Sequence, residues 1–309
     1  MEISPTTHLT TYLAGLTLDH PIIAACGPWT ASVAEIEAVA KGGAAAVTVK
    51  TATTEPRLGH PTPNFITWEG GALNALGLPN PGIHKWLDLF GQAQARLDAW
   101  GVPTIASVYA ETPDEFAALA RQVAPLRPAL LELNASCPNL GKDPARLVEG
   151  IAATTAAVKA AVTCPISVKL SPSTPDIGKA ARAVEEAGAD VITAVNTMPA
   201  MLIDIETGRP SLSNTTGGLS GAALKPIALR CVYEITRAVK IPVIGMGGVM
   251  TGRDAVEMLM AGATAVGVGT AIALHGPRVL GRIGSELDDW LTAHGYESVD
   301  AVRGLAHRV

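Results

Sequence analysis

Short apolar runs alternate with amphipathic stretches along almost the whole chain. Eight runs are nearly continuously apolar, at 21–27, 44–50, 103–109, 129–136, 165–171, 190–196, 242–248 and 264–270. Such runs, rather than strict two-residue alternation, are typical of parallel strands buried on both faces. Helical periodicity fills the intervals, at 31–41, 82–99, 113–124, 144–161, 176–187, 222–239, 252–261 and 275–293.

Eight strands, each followed by a helix, predict an α/β protein with the (β/α)8 or TIM barrel fold. Two segments interrupt the simple alternation, at 51–81 after strand 2 and at 197–221 after strand 6, and both are rich in Gly, Pro, Asn and Thr. Loops of this length are usually functional. Because we find no linker or low-complexity tract, we expect residues 1–309 to form one barrel domain.

The barrel fold indicates which polar residues lie at the functional site, because active sites in such barrels form at the C-terminal ends of the strands. The residues at or just past these ends share one predicted mouth, and they are Lys50, Asn134, Cys137, Lys169, Asn196, Gly247, Gly248 and Gly269. The sequence therefore predicts a functional site where they converge.

Composition and charge narrow the class of protein. The net charge is −5 and no basic stripe is present, which argues against nucleic acid as a partner. The four cysteines are far apart and show neither CxxC nor zinc-ligand spacing, which favours a reduced, cytoplasmic protein without a metal site. No segment offers the ~18 continuous apolar residues of a membrane span.

Three glycine-rich segments indicate phosphate binding. The segments "GMGGV" (245–249) and "GVGT" (267–270) end strands 7 and 8, and "GGLSG" (217–221) leads into helix 6. Phosphate groups are commonly held at this position of a barrel by backbone N–H donors. The alternative is that the glycines only permit tight turns.

Lysines and asparagines indicate what else the mouth could bind. Lys50 and Lys169 each end an apolar strand, where an ammonium group needs an anionic substrate or an electron-rich cofactor ring. Asparagine side chains both donate and accept, so several of them can bracket a planar ring with amide groups. The asparagines predicted near the mouth are Asn74, Asn80, Asn134, Asn139 and Asn196.

Cys137 is the candidate for proton chemistry, since a thiol can take a carbon-bound proton when its surroundings favour the thiolate. No histidine adjoins it in the sequence; His60 lies in the second loop and His275 follows strand 8. A Cys–His nucleophile is therefore poorly supported, and a general base fits better.

These segments together resemble dihydroorotate dehydrogenase, and more narrowly its class 1B catalytic subunits. The resemblance covers about residues 12–272, and its motifs occur in the expected order. They are "VKTATTEPRLGHPTPN", "LNALGLPNPG", "LNASCPN", "VKLSP", "VNTM", "NTTGGLSGAALKPIAL", "IPVIGMGGV" and "AGATAVGVGT". The family folds as a (β/α)8 barrel with FMN at its mouth and serves pyrimidine biosynthesis.

The resemblance implies a role for each matching residue. Cys137 would remove a C5 proton of dihydroorotate while the C6 hydride passes to FMN N5; class 2 relatives have Ser here. Residues implied to hold the substrate are Lys50, Asn74, Leu76, Gly77, Leu78, Asn134, Asn139, Asn196 and Thr197. The residues implied to contact FMN are Cys26, Lys50, Thr51, Ser107, Asn134, Lys169 and Val195. The residues implied to bind the phosphate of FMN are Gly221, Gly247, Gly248, Gly269 and Thr270.

The chain departs from the family pattern in places. Cys26 replaces the usual Ser, Ser107 stands where Asn is common, and Asn64 stands where Arg is usual. After "CPN" the chain passes directly to "LGKDPARL", whereas class 1B members carry a longer Gly-rich stretch that belongs to the active-site lid.

The resemblance also implies partners. A homodimer is expected, or a heterotetramer with a second subunit that carries FAD and a 2Fe–2S cluster and reaches NAD+. This sequence has no cysteine set for a cluster, so the partner would have to supply it.

Two other functions share these features. One is the related FMN-dependent dehydrogenation of dihydropyrimidines such as dihydrouracil or dihydrothymine, which differ from dihydroorotate in lacking a carboxylate. The other is a barrel that binds a flavin or phosphate ligand without catalysis.

Overall fold

The structure of the protein is a computed structural model, and it describes residues 8–135 and 144–308. In chain order its strands are β1 (Thr11–Leu13), β2 (Leu16–Leu18), β3 (Ile22–Ala24), β4 (Ala46–Thr48), β5 (Phe65–Trp68), β6 (Gly71–Asn74), β7 (Thr104–Val108), β8 (Leu130–Leu133), β9 (Ile166–Leu170), β10 (Val191–Ala194), β11 (Met198–Ala200), β12 (Ile203–Asp204), β13 (Arg209–Pro210), β14 (Gly217–Ser220), β15 (Val243–Met246) and β16 (Ala265–Val268). Its helices are α1 (Val33–Lys41), α2 (Ile83–Asp98), α3 (Pro113–Val123), α4 (Pro144–Ala161), α5 (Ile177–Glu186), α6 (Lys225–Ala238), α7 (Gly252–Met260), α8 (Thr270–His275), α9 (Val279–Ala293) and α10 (Val299–Val302).

Eight strands close into a parallel barrel, in the order β10-β15-β16-β3-β4-β7-β8-β9. Each one matches an apolar run of the sequence, and a helix follows each before the next barrel strand. The predicted (β/α)8 barrel is therefore confirmed. Local signals fix several helix starts: Thr112 and Thr251 form capping boxes with Glu115 and Asp254 at the starts of α3 and α7.

Side chains inside the barrel change from apolar to polar along the strands. Successive side chains of a strand point to opposite faces, so every second residue faces inward. At the N-terminal end the inward residues form an apolar cluster that includes Ile105 and Leu130, with Leu13 and Leu18 of the β1–β2 hairpin packed against it. On β7, β8, β9 and β10 the next inward residues are polar, namely Ser107, Glu132, Ser167 and Thr193, and the last polar ones are Lys50, Asn134 and Lys169. The polar end of the interior is thus the C-terminal mouth.

The two long segments are more regular than loops. Strands β5 and β6 from the first pair with β14 and β11 from the second in a four-stranded antiparallel sheet, in the order β11-β14-β6-β5. These strands are short and include glycines and an exposed face, so their sequence lacks the pattern of a buried strand.

The predicted helix at 275–293 is also corrected. The helix α8 ends at His275, and α9 begins only at Val279. Gly276 has φ +76 and Pro277 follows it, so the chain cannot continue as one helix through this point.

His20, just before β3, gives a prediction for stability. The side chain is 6% exposed, and its Nδ1 accepts a hydrogen bond from the Ile22 N–H at 3.2 Å. Burial lowers the pKa of His20 to about 4, against a weaker opposing effect of Asp19.

Since the folded pKa lies below the unfolded value of ~6.5, the unfolded chain takes up a proton on His20 first as the pH falls. We expect the free energy of unfolding to lose up to about 3 kcal/mol from His20 alone between pH 6.5 and pH 4. Urea unfolding of the wild type and His20→Asn across this range isolates this contribution. Parallel pH profiles of the two proteins would contradict the expectation.

Candidate functional site

A cavity of about 490 Å³ opens at the C-terminal mouth of the barrel, bordered by the four-stranded sheet. This volume lies within the range of small-molecule sites. Residues at or just after the C-terminal end of every barrel strand line it, from Ala25 after β3 to Gly269 after β16. From the four-stranded sheet and its borders come Phe65, Asn74, Thr197 and Ser220.

The structure brings together most of the residues predicted from the sequence. Those that line the cavity are Cys26, Lys50, Thr51, Asn74, Leu76, Gly77, Leu78, Asn134, Lys169, Val195, Asn196, Thr197, Gly221, Gly247, Gly248, Gly269 and Thr270. Cys137 and Asn139 fall outside the described residues. Ser107 lies below the cavity lining, fully buried, and its hydroxyl is 3.0 Å from the Thr51 hydroxyl.

Three asparagine side chains on the cavity are held in defined orientations. Asn196 Nδ2 donates to Asn134 Oδ1 at 3.1 Å, while Asn196 Oδ1 accepts from the Thr197 N–H at 2.8 Å. Asn74 Nδ2 donates to the Gly218 carbonyl across β6 and β14 at 3.2 Å. Fixed amides of this kind can bind a planar ring that carries N–H and C=O groups.

Asn80 was predicted near the mouth of the barrel, but it is not among the described residues that line the cavity. Its Oδ1 accepts from the N–H groups of Thr53 and Gly82, and its Nδ2 donates to Thr53 Oγ1 and to the Leu78 carbonyl. This side chain fixes the loop after β4.

The described residues that line the cavity carry positive charge. Its described lining residues include Lys50, Arg57 and Lys169 and no Asp or Glu. Lys50 and Lys169 are each 8% exposed, and no carboxylate of a described residue lies within 4.0 Å of either ammonium group. A buried ammonium group without a counter-charge is unfavourable, so this arrangement favours an anionic ligand.

Glycines bring the backbone close to the start of helix α6. Gly248 has φ +80, and a Cβ atom there would lie 2.6 Å from the backbone nitrogen of Lys225, the first residue of α6. Gly221 has φ +79, and a Cβ atom there would lie 2.9 Å from Gly71. Only glycine fits both positions without displacing the backbone, and a helix start offers N–H groups and a partial positive charge to an anion.

The Lys225 side chain is engaged elsewhere. Its Nζ contacts Asp254 Oδ1 at 2.6 Å and Glu257 Oε2 at 2.7 Å. Burial alone would raise the pKa of Asp254, but hydrogen bonds from Lys225, the Met250 N–H and Thr251 lower it below its usual range. An anion at this helix start would therefore meet backbone N–H groups rather than this ammonium group.

The sequence did not identify several further lining residues, and those with large side chains include Trp29, Arg57, Phe65 and Tyr109. Arg57 lies over the Tyr109 ring at 5.5 Å and contacts Glu111 at 3.7 Å. Tyr109 ends a predicted strand and could have been found from its inward register. Phe65 and Arg57 lie in a segment whose path depends on tertiary contacts, so no local signal marks them.

The described part of the chain has neither a membrane-spanning helix nor a metal-binding cluster. None of the helices in 8–135 and 144–308 is long and apolar enough to cross a membrane. Across the same residues, no cluster of three or more His, Cys, Asp or Glu side chains could hold a metal ion.

Comparison with known proteins gives one consistent result. The family model described as "Dihydroorotate dehydrogenase" matches residues 8–291. Three similar proteins all have the name "Dihydroorotate dehydrogenase B (NAD(+)), catalytic subunit". The one from Methanosarcina mazei is 44% identical over 96% of this chain and 95% of its own length. Those from Methanothermobacter thermautotrophicus and Methanosarcina acetivorans are each 42% identical, over 97% and 96% of this chain and 98% and 96% of their own lengths. The chain therefore belongs to the dihydroorotate dehydrogenase family, whose members are flavin-dependent oxidoreductases.

Proposed function

We propose that this protein oxidises dihydroorotate to orotate with FMN as its cofactor. The observation that supports this most directly is one cavity that combines two buried lysines, neither paired with a carboxylate of a described residue, with a set of fixed amide side chains. Orotate is a planar ring, dihydroorotate is the same ring with C5 and C6 saturated, and both carry amide groups and a carboxylate.

The size and lining of the cavity support a flavin with a phosphate tail as its ligand. Its volume suits a ligand of this class, and Gly221 and Gly248 line it close to the start of α6, where backbone N–H groups favour an anion. We propose that Gly221, Gly247, Gly248, Gly269 and Thr270 hold this phosphate. When bound, FMN supplies the hydride-accepting chemistry that the side chains of a protein lack.

The substrate would be held by charge and by amide recognition. We propose that Lys50 pairs with the substrate carboxylate, together with backbone N–H groups of residues 76–78. Leu78 has φ +54, an uncommon conformation for a residue with a side chain, and such conformations cluster at ligand sites. Asn74, Asn134 and Asn196 would bind the ring amides, since they both donate and accept.

The proton that leaves C5 requires a base. We propose Cys137, which follows Asn134 by three positions in the segment "LNASCPN" and itself lies outside the described residues. Asn134 lines the cavity, and this supports the placement of the base in the same segment. The described histidines give no better candidate, because none of them lines the cavity.

We also propose that the chain acts as a catalytic subunit that passes electrons to NAD+ through a second protein. The names of its relatives specify both NAD(+) and a catalytic subunit. The second protein would carry FAD and a 2Fe–2S cluster. Fumarate and a quinone are the alternative acceptors, and purification from the native source with iron and FAD assays distinguishes these cases.

The proposal is tested by comparing substrates. We expect protein reconstituted with FMN to be yellow and to oxidise dihydroorotate with kcat/KM at least ~100-fold above that for dihydrouracil, since only dihydroorotate has a carboxylate to pair with Lys50. Steady-state assays with an artificial acceptor measure both rates. Equal rates, or a preference for dihydrouracil, would favour the dihydropyrimidine dehydrogenase alternative. Protein that cannot bind FMN would favour a non-flavin function.

A further inference from the structure

Four side chains form a hydrogen-bonded series from the cavity into the barrel interior. Cys26 Sγ lies 3.2 Å from Thr51 Oγ1, which lies 3.0 Å from Ser107 Oγ, and Ser107 Oγ donates to Glu132 Oε1 at 3.4 Å. Cys26 and Thr51 line the cavity, whereas Ser107 and Glu132 are 0% and 3% exposed. We call Cys26, Thr51, Ser107 and Glu132 the floor chain.

Glu132 is unusual in this position. It is the only acidic residue in the eight barrel strands, all of which belong to the described residues. It precedes Asn134 by one inward-facing position, about 7 Å along the strand. No Lys, Arg or His side chain of a described residue lies within 4.0 Å of it, so it is not half of a buried ion pair. A buried carboxylate held only by a hydroxyl is unfavourable for folding, which points to a functional reason for it.

The carboxylate determines the direction of each hydrogen bond in the floor chain. An ionised carboxylate only accepts, so the single hydroxyl proton of Ser107 is directed to Glu132. Ser107 can then only accept from Thr51, and Thr51 can only accept from the Cys26 thiol. As a result, Thr51 and Cys26 present lone pairs, and no free hydroxyl or thiol proton, to a ligand in the cavity.

We propose that Glu132 is a positioning residue that acts through Ser107 and Thr51 to keep the cavity floor an acceptor surface and to set the reduction potential of the bound flavin. This rests on the proposed FMN-dependent function. The buried negative charge opposes the gain of electrons by a group in the cavity, and an acceptor floor opposes it further. Both effects lower the potential, and together they offset part of the positive charge of Lys50 and Lys169.

The expected effect of removing this charge follows from its distance. A unit charge ~10 Å from a ligand in the cavity, at an effective dielectric constant of ~20, would change an equilibrium by about tenfold or more. We therefore expect Glu132→Gln, which keeps the volume and a hydrogen-bonding group, to raise the potential by at least about 30 mV, the tenfold value for a two-electron couple.

Two further variants separate charge from structure. Ser107→Ala keeps the carboxylate but frees the Thr51 hydroxyl to donate into the cavity, so it should shift the flavin equilibrium in the same direction by about threefold or more. Thr193→Val is the matched control: Thr193 Oγ1 pairs with Ser167 Oγ at 2.8 Å, both residues are fully buried in the same barrel, and neither lines the cavity. It should leave the equilibrium within about twofold of wild type.

Potentials of the FMN-loaded proteins, measured by equilibration with a reference dye and read from the flavin absorbance, decide between the outcomes. Upward shifts in Glu132→Gln and Ser107→Ala with none in Thr193→Val support the inference. Unshifted potentials in both floor-chain variants, or an equal shift in Thr193→Val, overturn it. Should Glu132→Gln not yield folded protein, Ser107→Ala alone decides. Wild-type protein that binds FMN while the variants stay unshifted refutes only this inference, whereas wild-type protein without FMN refutes the proposed function and this inference together.

Discussion

Replacing Cys137 by alanine is expected to leave FMN bound and to slow flavin reduction by dihydroorotate at least ~100-fold, the scale of losing a general base. Oxidation of the substrate requires a proton to leave C5, and alanine cannot take it. None of the described lining residues of the cavity is a His, Asp or Glu that could take the proton instead. Anaerobic stopped-flow measurement of the flavin absorbance reports the reduction rate directly, without the later transfer to an acceptor.

Two other variants make this test specific. Cys137→Ser should retain activity only at higher pH, because a hydroxyl deprotonates far less readily than a thiol. Cys164→Ala is the control: Cys164 lies before β9, at the opposite end of the barrel from the cavity, and burial raises the pKa of its thiol. We expect it to reduce flavin at the wild-type rate. Unchanged reduction in Cys137→Ala would exclude Cys137 as the base.

The sequence was sufficient to predict the barrel because each barrel strand is buried on both faces. That burial leaves a continuous apolar run, as in the run that contains β9, and the strand-end rule then places Lys50, Asn134 and Lys169 at one mouth. The four-stranded sheet could not be predicted from the sequence, for the opposite reason. Its strands are partly exposed and pair across more than a hundred residues, as Asn74 pairs with Gly218, so no local pattern specifies them.

The floor chain shows a second limit of sequence reasoning. Ser107 is predicted to contact the cofactor because its position matches a cofactor contact of the family, and it lies one inward position below the cavity lining. The sequence does not predict the role of Glu132, since an acidic residue in an apolar run gives no indication of which face of the strand it occupies. Both placements depend on barrel register, which pairs Ser107 with Glu132 across β7 and β8. Register is a property of the closed barrel rather than of either strand alone.

Replacing Lys50 with methionine is expected to increase the stability of the apoprotein and to decrease the activity of the FMN-loaded protein. The ammonium group of Lys50 is buried with no carboxylate of a described residue within 4.0 Å, which is unfavourable in the ligand-free protein. Replacing it with methionine, of similar length and without charge, should raise the free energy of unfolding of the apoprotein by about 1 to 3 kcal/mol. The same change should lower kcat/KM for dihydroorotate by about 100-fold, because the substrate carboxylate loses its charged partner. Chemical denaturation of apoprotein and steady-state assays of FMN-loaded protein measure the two effects separately.

Lys169→Met is the matched control, since Lys169 is equally buried, has no carboxylate of a described residue within 4.0 Å, and is proposed to contact only FMN. Both variants should stabilise the apoprotein, while only Lys50→Met should lose the preference for dihydroorotate over its uncharged methyl ester. If Lys50→Met kept that preference, the carboxylate would be bound elsewhere, and Arg57 on the same cavity would be the next candidate. If Lys50→Met destabilised the apoprotein, the lysine would be stabilising the fold, and its burial would not indicate an anionic ligand.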